Sequence, residues 1–190
     1  MAALESLDLN IFHSINQIAG RFGWLDRFVV FFAVQAIVVL AVLVILLWFM
    51  DFGLDRKKNR YAVVMAIEAL ILARLILTPI IRELLPRVRP FVENNVNLLI
   101  SQSPLEPGFP SGHAVMAFAL ALPVFVYNRK AGTWLLFLAL LISLSRVFVG
   151  VHYPGDIAFG FILSFLVVLF INFFRDKLVA PVVKKLSREK

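Results

Sequence analysis

The sequence predicts an all-α, multi-pass membrane protein. Of its 190 residues, 61% are hydrophobic and only 16% are charged, whereas soluble domains carry about a quarter charged residues. The apolar residues gather in long runs, such as residues 29–50, that are long enough to cross a bilayer as a helix. The chain has no cysteine, which excludes disulfides, thiol catalysis and cysteine-ligated metals.

Five apolar stretches are long enough, or nearly so, to cross about 30 Å of hydrocarbon at about 1.5 Å per residue. The third is the shortest, and a locally thinned bilayer would accommodate it. No internal repeat or low-complexity segment divides the chain, so we expect one membrane domain over residues 1–190. The five predicted transmembrane helices are residues 28–50, 61–81, 112–127, 131–149 and 157–174.

The first twenty residues have a different pattern. Apolar residues recur there at helical spacing, while Glu5, Asp8 and Asn16 lie off that stripe. This pattern predicts an amphipathic helix in the membrane interface over residues 1–20, with a short sixth span as the alternative that the polar content disfavours. No removable signal peptide is expected, because its basic, apolar and small-residue regions do not follow in order. The apolar stripe consists of Leu4, Leu7, Ile11, Ile15 and Ile18.

The basic residues divide unequally between the two predicted sides of the membrane. Twelve fall on one side and six on the other, so the positive-inside rule puts the richer side in the cytoplasm. Loops 82–111 and 146–156 then face the extracytoplasmic side. The net charge of +7 does not indicate nucleic-acid binding, because the basic residues lie in short segments between apolar runs. The cytoplasmic set is Arg56, Lys57, Lys58, Arg60, Arg129, Lys130, Arg175, Lys177, Lys184, Lys185, Arg188 and Lys190, and the other set is Arg21, Arg27, Arg82, Arg87, Arg89 and Arg146.

The first of these loops has the features of an anion site. It carries three arginines, whose planar guanidinium groups match phosphate oxygens and stay charged at any working pH. Ser111 and Gly112 precede an apolar run and are predicted to open a helix, where free N–H groups favour an anion. Gly112 also lets a phosphate approach the backbone closely. The arginines are Arg82, Arg87 and Arg89.

Three further residues could carry acid–base or nucleophilic chemistry. His152 and Asp156 are four residues apart, one helical turn if the fifth span begins near Pro154. A carboxylate that holds Nδ1–H would leave Nε2 of His152 free to attack. His113 supplies a second imidazole, suited to proton transfer near neutral pH. The alternatives are a helix-surface pair without a role, and a metal site made by both histidines with Asp156. The arginines would repel a cation, so we expect neither a metal nor another cofactor.

Taken in order, these segments resemble the signature of the type 2 phosphatidic acid phosphatase superfamily, which includes lipid phosphatases and the vanadium haloperoxidases. That signature is Lys, six residues, Arg-Pro; then Pro-Ser-Gly-His; then Ser-Arg, five residues, His, three residues, Asp. This chain departs from it at the opening Lys, where the spacing falls on Arg82, and Arg87 is an alternative for that position. The matching residues are Arg89-Pro90, Pro110-Ser111-Gly112-His113, Ser145-Arg146, His152 and Asp156.

The resemblance implies a two-step mechanism over the motif-bearing region, residues 82–156. His152 would attack phosphorus and form a phosphohistidine, with Asp156 orienting its ring. His113 would protonate the leaving oxygen and then activate the hydrolytic water. The residues expected to hold the phosphate oxygens are Arg82, Arg89, Ser111, Gly112 and Arg146.

The small size and single membrane domain are similar to those of bacterial undecaprenyl-diphosphatases associated with bacitracin resistance. The resemblance thus implies hydrolysis of undecaprenyl diphosphate to undecaprenyl phosphate, at the outer face of the cell membrane, in cell-wall synthesis. The expected partners are this lipid and membrane lipids, without nucleic acid or an obligate protein partner. The alternative substrates are phosphatidate, phosphatidylglycerol phosphate and diacylglycerol pyrophosphate. A non-catalytic lipid transporter or scaffold, and a vanadate-dependent peroxidase, are the alternatives of other classes; the spans disfavour the peroxidase.

Two charged residues, Glu68 and Arg74, fall inside the second predicted span. Charges within a membrane span suggest a function by default. Because they are six residues apart, they do not share a helix face. We therefore expect each to pair with another span or with water.

Overall fold

The computed structural model of the chain describes residues 2–50 and 56–175. These residues form helices and loops without a strand, which confirms the all-α prediction. The side chain of Leu4 and the basic tail from Lys177 onward lie outside the described residues. The helices are α1 (Ala2–Asn16), α2 (Gly23–Val34), α3 (Ala36–Leu46), α4 (Arg56–Leu70), α5 (Thr78–Leu84), α6 (Pro90–Glu93), α7 (Gly112–Tyr127), α8 (Arg129–Phe148) and α9 (Pro154–Phe174), and a π-helical segment, Ile71–Leu77, joins α4 to α5.

The described residues include three helical stretches long and apolar enough to cross a membrane, Arg56–Leu84, Arg129–Phe148 and Pro154–Phe174. The pair α2 and α3, bent by 51°, makes a fourth. Helix α7 is apolar but has only 16 residues. These five helical segments correspond to the five predicted spans, and the chain is a multi-pass membrane protein.

The bend between α2 and α3 has a local cause. The backbone carbonyl of Ala33 accepts a 2.7 Å hydrogen bond from Nη1 of Arg146, which reaches it from the end of α8. A side chain that inserts into the helical hydrogen-bond ladder is a common origin of kinks. The first span is therefore bent at the point where it touches a residue of the predicted site.

Helix α7 is the centre of the bundle and packs against α3, α4, the π-helical segment, α8 and α9. Small residues allow this close approach. A Cβ atom added to Gly160 of α9 would lie 2.9 Å from Cβ of Ala114, and Oγ of Ser164 donates to the carbonyl of Val115 at 3.0 Å. Because protein surrounds α7 on several sides, its first turn is fixed in the middle of one end of the bundle.

The motif-bearing segments meet at that same end. Span Arg56–Leu84 ends there, α7 begins there, α8 ends there and α9 begins there. The backbone N–H of Ser111 donates to the carbonyl of Asp156 at 3.2 Å, which joins the second motif to the third.

Helix α1 lies against α8 and α9. Its protein-facing side carries Phe12, which is fully buried, and Asn16, whose amide donates to the carbonyls of Asn97 and Phe148. On the predicted apolar stripe, Leu7, Ile11 and Ile18 are exposed. The helix is thus amphipathic, with one side packed on the bundle and apolar side chains exposed on the other, and its position in the membrane interface stays a prediction. The helix ends at Asn16, earlier than the predicted residue 20.

Glu68 finds a partner on another helix, as expected. Its Oε1 atom accepts a 2.8 Å hydrogen bond from Nη2 of Arg175, which directly follows α9. Arg74 lies in the π-helical segment and has a different environment, described below.

Candidate active site

The His152–Asp156 pair is formed by the start of α9. The helix begins at Pro154, as predicted, so Asp156 is in its first turn and His152 lies just before it. Oδ2 of Asp156 accepts a 2.9 Å hydrogen bond from the N–H of Tyr153 and faces Nδ1 of His152 at 3.4 Å. A proton on Nδ1 directed at this carboxylate leaves the Nε2 lone pair of His152 free. Nε2 faces Nη1 of Arg89 at 3.5 Å.

Burial keeps the imidazole of His152 neutral. Its side chain is only 2% exposed. Desolvation lowers the pKa of His152 to about 4, although the carboxylate of Asp156 acts in the opposite direction. At neutral pH the ring therefore carries one proton and has one nitrogen available as a nucleophile or acceptor.

Arg87 holds the other oxygen of Asp156. Its Nη1 donates to Oδ1 of Asp156 at 2.9 Å, and its Nη2 donates to Oδ2 of Asp8 in α1 at 2.7 Å. Burial lowers the pKa of Arg87, but the two carboxylates outweigh it, so this pKa is raised overall. Arg87 thus binds carboxylates, and the geometry does not favour it as the alternative to Arg82 in phosphate binding. Sequence reasoning missed this role.

Arg89 lies next to Nε2 of His152 and is only 2% exposed. Its Nε donates to the backbone carbonyl of Glu106 at 2.9 Å, and its Nη2 lies 3.5 Å from the carboxylate of the same residue. Burial lowers the pKa of Arg89, but a guanidinium remains charged in proteins. The loop around Glu106 therefore fixes a positive charge at the His152 ring.

Arg146 has two nitrogens committed to protein partners and Arg82 has one, and each arginine has one nitrogen without a partner among the described residues. Arg146 is 3% exposed and donates to the carbonyl of Ala33 and, at 3.4 Å, to the side chain of Gln102. Arg82 donates from Nη2 to the carbonyl of Pro110 at 3.2 Å. The Nε atoms of both arginines are buried and lack a hydrogen-bond partner within the described ranges.

The start of α7 completes the cluster. Ser111 is the N-cap residue, and its buried Oγ makes no capping bond and has no partner among the described residues. Gly112 is the first helical residue, as predicted, and a Cβ added there would lie 3.0 Å from Nε of Arg74. His113 is half-buried, and the charges that act on it include Arg146, Arg74 and Arg89. All the predicted site residues are thus brought to one end of the bundle, and Arg74 joins them.

Four donors around this helix start are buried without a partner in residues 2–50 and 56–175. Leaving a buried polar group unpaired typically costs about 1–3 kcal/mol, so native proteins rarely do it without a reason. A cluster of unpaired donors on positive side chains is suited to bind an anion with several oxygens. Within the same ranges no group of three or more His, Asp or Glu side chains could hold a metal ion. The four atoms are Nε of Arg74, Nε of Arg82, Oγ of Ser111 and Nε of Arg146.

Comparison with known proteins finds relatives over most of the chain. Residues 59–179 match the family model of the PAP2 superfamily. The bacitracin transport permease protein BcrC of Bacillus licheniformis is 33% identical over 178 residues, which cover 93% of this chain and 84% of that protein. The undecaprenyl-diphosphatase BcrC of Bacillus subtilis (strain 168) is 30% identical over 182 residues, which cover 96% of this chain and 91% of that protein.

Solved structures show the same fold. LpxE of Aquifex aeolicus superposes with a TM-score of 0.69 at 29% identity, over 86% of this chain and 93% of that chain. A transmembrane PAP2-type phosphatidylglycerolphosphate phosphatase from Bacillus subtilis superposes with a TM-score of 0.67 at 21% identity, over 94% and 89% of the two chains. The resemblance predicted from the motifs is therefore confirmed, and this chain belongs to the PAP2 superfamily as a membrane lipid phosphatase.

Proposed function

We propose that this phosphatase removes the terminal phosphate of undecaprenyl diphosphate and leaves undecaprenyl phosphate. The observation that carries the proposal is that the free Nε2 of the neutral His152 ring faces the guanidinium of Arg89. At the same end of the bundle, Arg74, Arg82 and Arg146 have buried Nε atoms without a partner among the described residues. A nucleophile that faces an anion-binding cluster is the arrangement that phosphoryl transfer needs. The undecaprenyl substrate is taken from the curated relative of that name, which covers nearly the whole chain.

In the first step, Nε2 of His152 attacks the terminal phosphorus. The new N–P bond forms while the bond from phosphorus to the bridging oxygen breaks, so the lipid leaves as a phosphate monoester. The carboxylate of Asp156 holds Nδ1–H and stabilises the positive charge that develops on the ring. Arg82, Arg89 and Arg146 bind the oxygens of the transferred group. Ser111 and the backbone N–H of Gly112 are placed to do the same from the start of α7.

In the second step, water hydrolyses the phosphohistidine. His113 removes a proton from this water, whose oxygen attacks phosphorus as the N–P bond breaks. The products are inorganic phosphate and free His152. His113 also protonates a basic leaving oxygen in the first step, which matters for alcohols more than for phosphate monoesters.

We place this reaction at the extracytoplasmic face of the cell membrane. The support is the distribution of basic residues in the sequence, which puts loops 82–111 and 146–156 outside. A site on that face could act on a lipid diphosphate that remains there after the lipid has delivered its cargo. The alternative location, a site that faces the cytoplasm, would require the opposite topology.

The relatives' names describe two classes, a permease and a diphosphatase. A lipid transporter needs headgroup contacts, but it has no use for a neutral imidazole oriented by a buried carboxylate. The His152–Asp156 pair therefore favours hydrolysis. Phosphate release by the pure protein, lost in His152→Ala, separates the two classes.

The decisive experiment is phosphate release from the purified protein over a panel of lipids. The panel contains undecaprenyl and farnesyl diphosphate, phosphatidate, phosphatidylglycerol phosphate and diacylglycerol pyrophosphate. We expect the highest kcat/KM with the prenyl diphosphates. A higher value with one of the glycerolipids would assign the site to that lipid instead.

A second measurement tests the charge arrangement. Since arginines supply the positive charge, we expect activity to persist in excess EDTA and vanadate to inhibit, as a mimic of the five-coordinate transition state. Activity that is abolished by EDTA and restored by one divalent ion would contradict this description of the site.

A further inference from the structure

Four arginines lie around the start of α7, namely Arg74, Arg82, Arg89 and Arg146. Of these four, Arg74 is the one that lies outside the three motifs. It belongs to the π-helical segment Ile71–Leu77, in the middle of the span Arg56–Leu84. The carbonyl of Ala73 accepts both the N–H of Thr78 and, at 2.7 Å, its hydroxyl, which stabilises the wider turn. Short π-helical segments occur frequently at functional sites, because they change which side chains share a helix face.

The guanidinium of Arg74 has no counter-charge in the part of the chain that the structure describes. Its Nε is buried without a hydrogen-bond partner. The other charge within residues 61–81, Glu68, is held by Arg175. A charged side chain inside a membrane span is expensive and normally pairs with another group or lines a substrate path. A bound anion would supply the missing partner.

The position of Arg74 points to one side of the reacting phosphorus. The guanidinium of Arg74 packs against the start of α7. A Cβ atom added to Gly112 would lie 3.0–3.3 Å from three atoms of the Arg74 side chain. Arg74 is among the charges that act on His113 and on Arg82. The arginine that faces Nε2 of His152, at 3.5 Å, is instead Arg89. Arg74 thus lies beside Gly112, the residue directly before the proposed acid His113.

In-line phosphoryl transfer puts the nucleophile and the leaving group on opposite sides of phosphorus. With His152 on one side, the His113 side belongs to the leaving group. In a diphosphate, the leaving group is the phosphate that stays attached to the lipid. Arg74 also arises eight residues further into the span than Arg82. Of the two phosphates of such a substrate, the lipid-linked one is nearer the hydrocarbon, because the lipid chain is attached to it.

We infer that Arg74 binds the lipid-linked phosphate of the substrate and thereby makes the enzyme selective for lipid diphosphates over lipid monophosphates. This inference rests on the proposed function. The guanidinium stabilises the charge that accumulates on the departing phosphate monoester, whereas the motif arginines hold the phosphoryl group that is transferred. A lipid monophosphate has no group at this position and gains nothing from Arg74.

The test compares two substrates with the same chain, farnesyl diphosphate and farnesyl monophosphate, on the full-length protein in detergent. Arg74→Gln should lower kcat/KM for the diphosphate by about 10²–10³, the usual loss for one charge-stabilising donor. For the monophosphate the change should stay below about threefold. The inhibition constant of vanadate, which occupies the position of the transferred group, should also change by less than about threefold.

The matched control is Arg60→Gln, the same change on an exposed arginine near the start of the same span, where the guanidinium stacks on Trp48. This variant should leave kcat/KM unchanged for both substrates. Arg74→Lys should retain part of the selectivity, because the charge remains while the planar pair of donors is lost.

Two results would overturn the inference. Equal losses with both substrates would show that Arg74 holds the transferred phosphoryl group, and unchanged kinetics would show that it has a structural role only. Both results presuppose an active wild type and leave the proposed function intact. If the wild-type protein released phosphate from neither prenyl substrate, the proposed function itself would fail.

Discussion

Arg87 donates a 2.9 Å hydrogen bond to Oδ1 of Asp156, while Oδ2 of the same carboxylate faces His152 at 3.4 Å. Arg87 also binds Asp8, so a chain of three charged groups, Asp8, Arg87 and Asp156, runs from the N-terminal helix to His152. Oδ1 of Asp8 accepts the N–H of Gly155 at 2.7 Å and ties α1 to the first turn of α9. The N-terminal helix is thereby coupled to the orientation of the His152 ring.

Arg87→Gln should therefore loosen Asp156 without removing a substrate contact. We expect kcat to fall roughly 10–100-fold, the range typical of partners that orient ligating side chains, with little change in KM. Asp8→Asn should lower kcat by a smaller factor, because the amide oxygen of the asparagine still accepts the N–H of Gly155. Steady-state kinetics on the purified variants give both constants, and Arg27→Gln, at an exposed arginine, is the control. A loss confined to KM would show that Arg87 binds substrate instead.

The sequence predicted the helices and the order of the motifs because both are local signals. Hydropathy locates the spans within a few residues, and motif spacing locates Arg82, His113, His152 and Asp156. The contacts of Asp8 with Arg87 and Gly155 span 79 and 147 residues of sequence. No periodicity reports such pairings, so the support that α1 gives to Asp156 could be found only in the structure.

The π-helical segment was also beyond sequence reasoning. The residues Ile71–Leu77 are as apolar as their neighbours, and hydropathy does not distinguish a π turn from an α turn. The sequence did single out Arg74 as a charge inside a span. Its position against Gly112 depends on the local backbone and on the packing of α7, neither of which a single sequence displays.

The arginines proposed to bind phosphate should differ in their tolerance of substitution. Arg146→Ala and Arg89→Ala should each lower kcat/KM by about 10²–10³, because each removes a donor to the transferred oxygens. Arg82→Lys should keep most activity, because the family signature has Lys at this spacing. Kinetics with one prenyl diphosphate, and thermal unfolding to check folding, measure these effects. If Arg82→Ala kept full activity while Arg87→Ala lost activity with a raised KM, Arg87 and not Arg82 would be the residue that matches the opening Lys of the family signature.

The low pKa of His152 should be visible as a pH dependence of stability. Burial lowers this pKa from 6.5 to about 4, so the unfolded chain takes up the proton at a higher pH than the folded chain does. Stability from the neutral ring is therefore fully present above about pH 6.5 and is lost as pH falls towards about 4, by about 3 kcal/mol in total. Thermal midpoints in detergent should fall more steeply over this window for wild type than for His152→Asn. If the thermal midpoints of the two proteins fell equally with pH, the lowered pKa of His152 would be contradicted.

The proposed topology can be tested with a single cysteine, because the chain has none of its own. Asn95 is exposed in the loop that precedes α7. Asn95→Cys should react with an impermeant thiol reagent in intact cells, whereas Lys58→Cys, at the opposite end of the span, should react only after lysis. The reverse labelling pattern would place the site in the cytoplasm and remove the argument for an extracytoplasmic lipid.

The two histidines should respond differently to the leaving group of the substrate. His152, as the proposed nucleophile, is needed for every substrate, so His152→Ala should abolish turnover of monoesters and diphosphates alike. His113→Ala should depend on the substrate. Phosphatidate expels an alcohol, whose alkoxide is too basic to leave without a proton, whereas a prenyl diphosphate expels a phosphate monoester that needs little acid help.

Loss of a general acid typically costs about 10²–10⁴-fold where the proton matters. His113→Ala should therefore impair phosphatidate cleavage more than cleavage of a prenyl diphosphate, measured at saturating substrate. With the diphosphate, phosphohistidine should also accumulate, because His113 is still needed to activate the water. The observable is an acid-labile, base-stable phosphate on the His113→Ala protein that disappears when His152 is replaced as well. If the label persists without His152, or maps to another residue, the roles assigned to the two imidazoles are wrong.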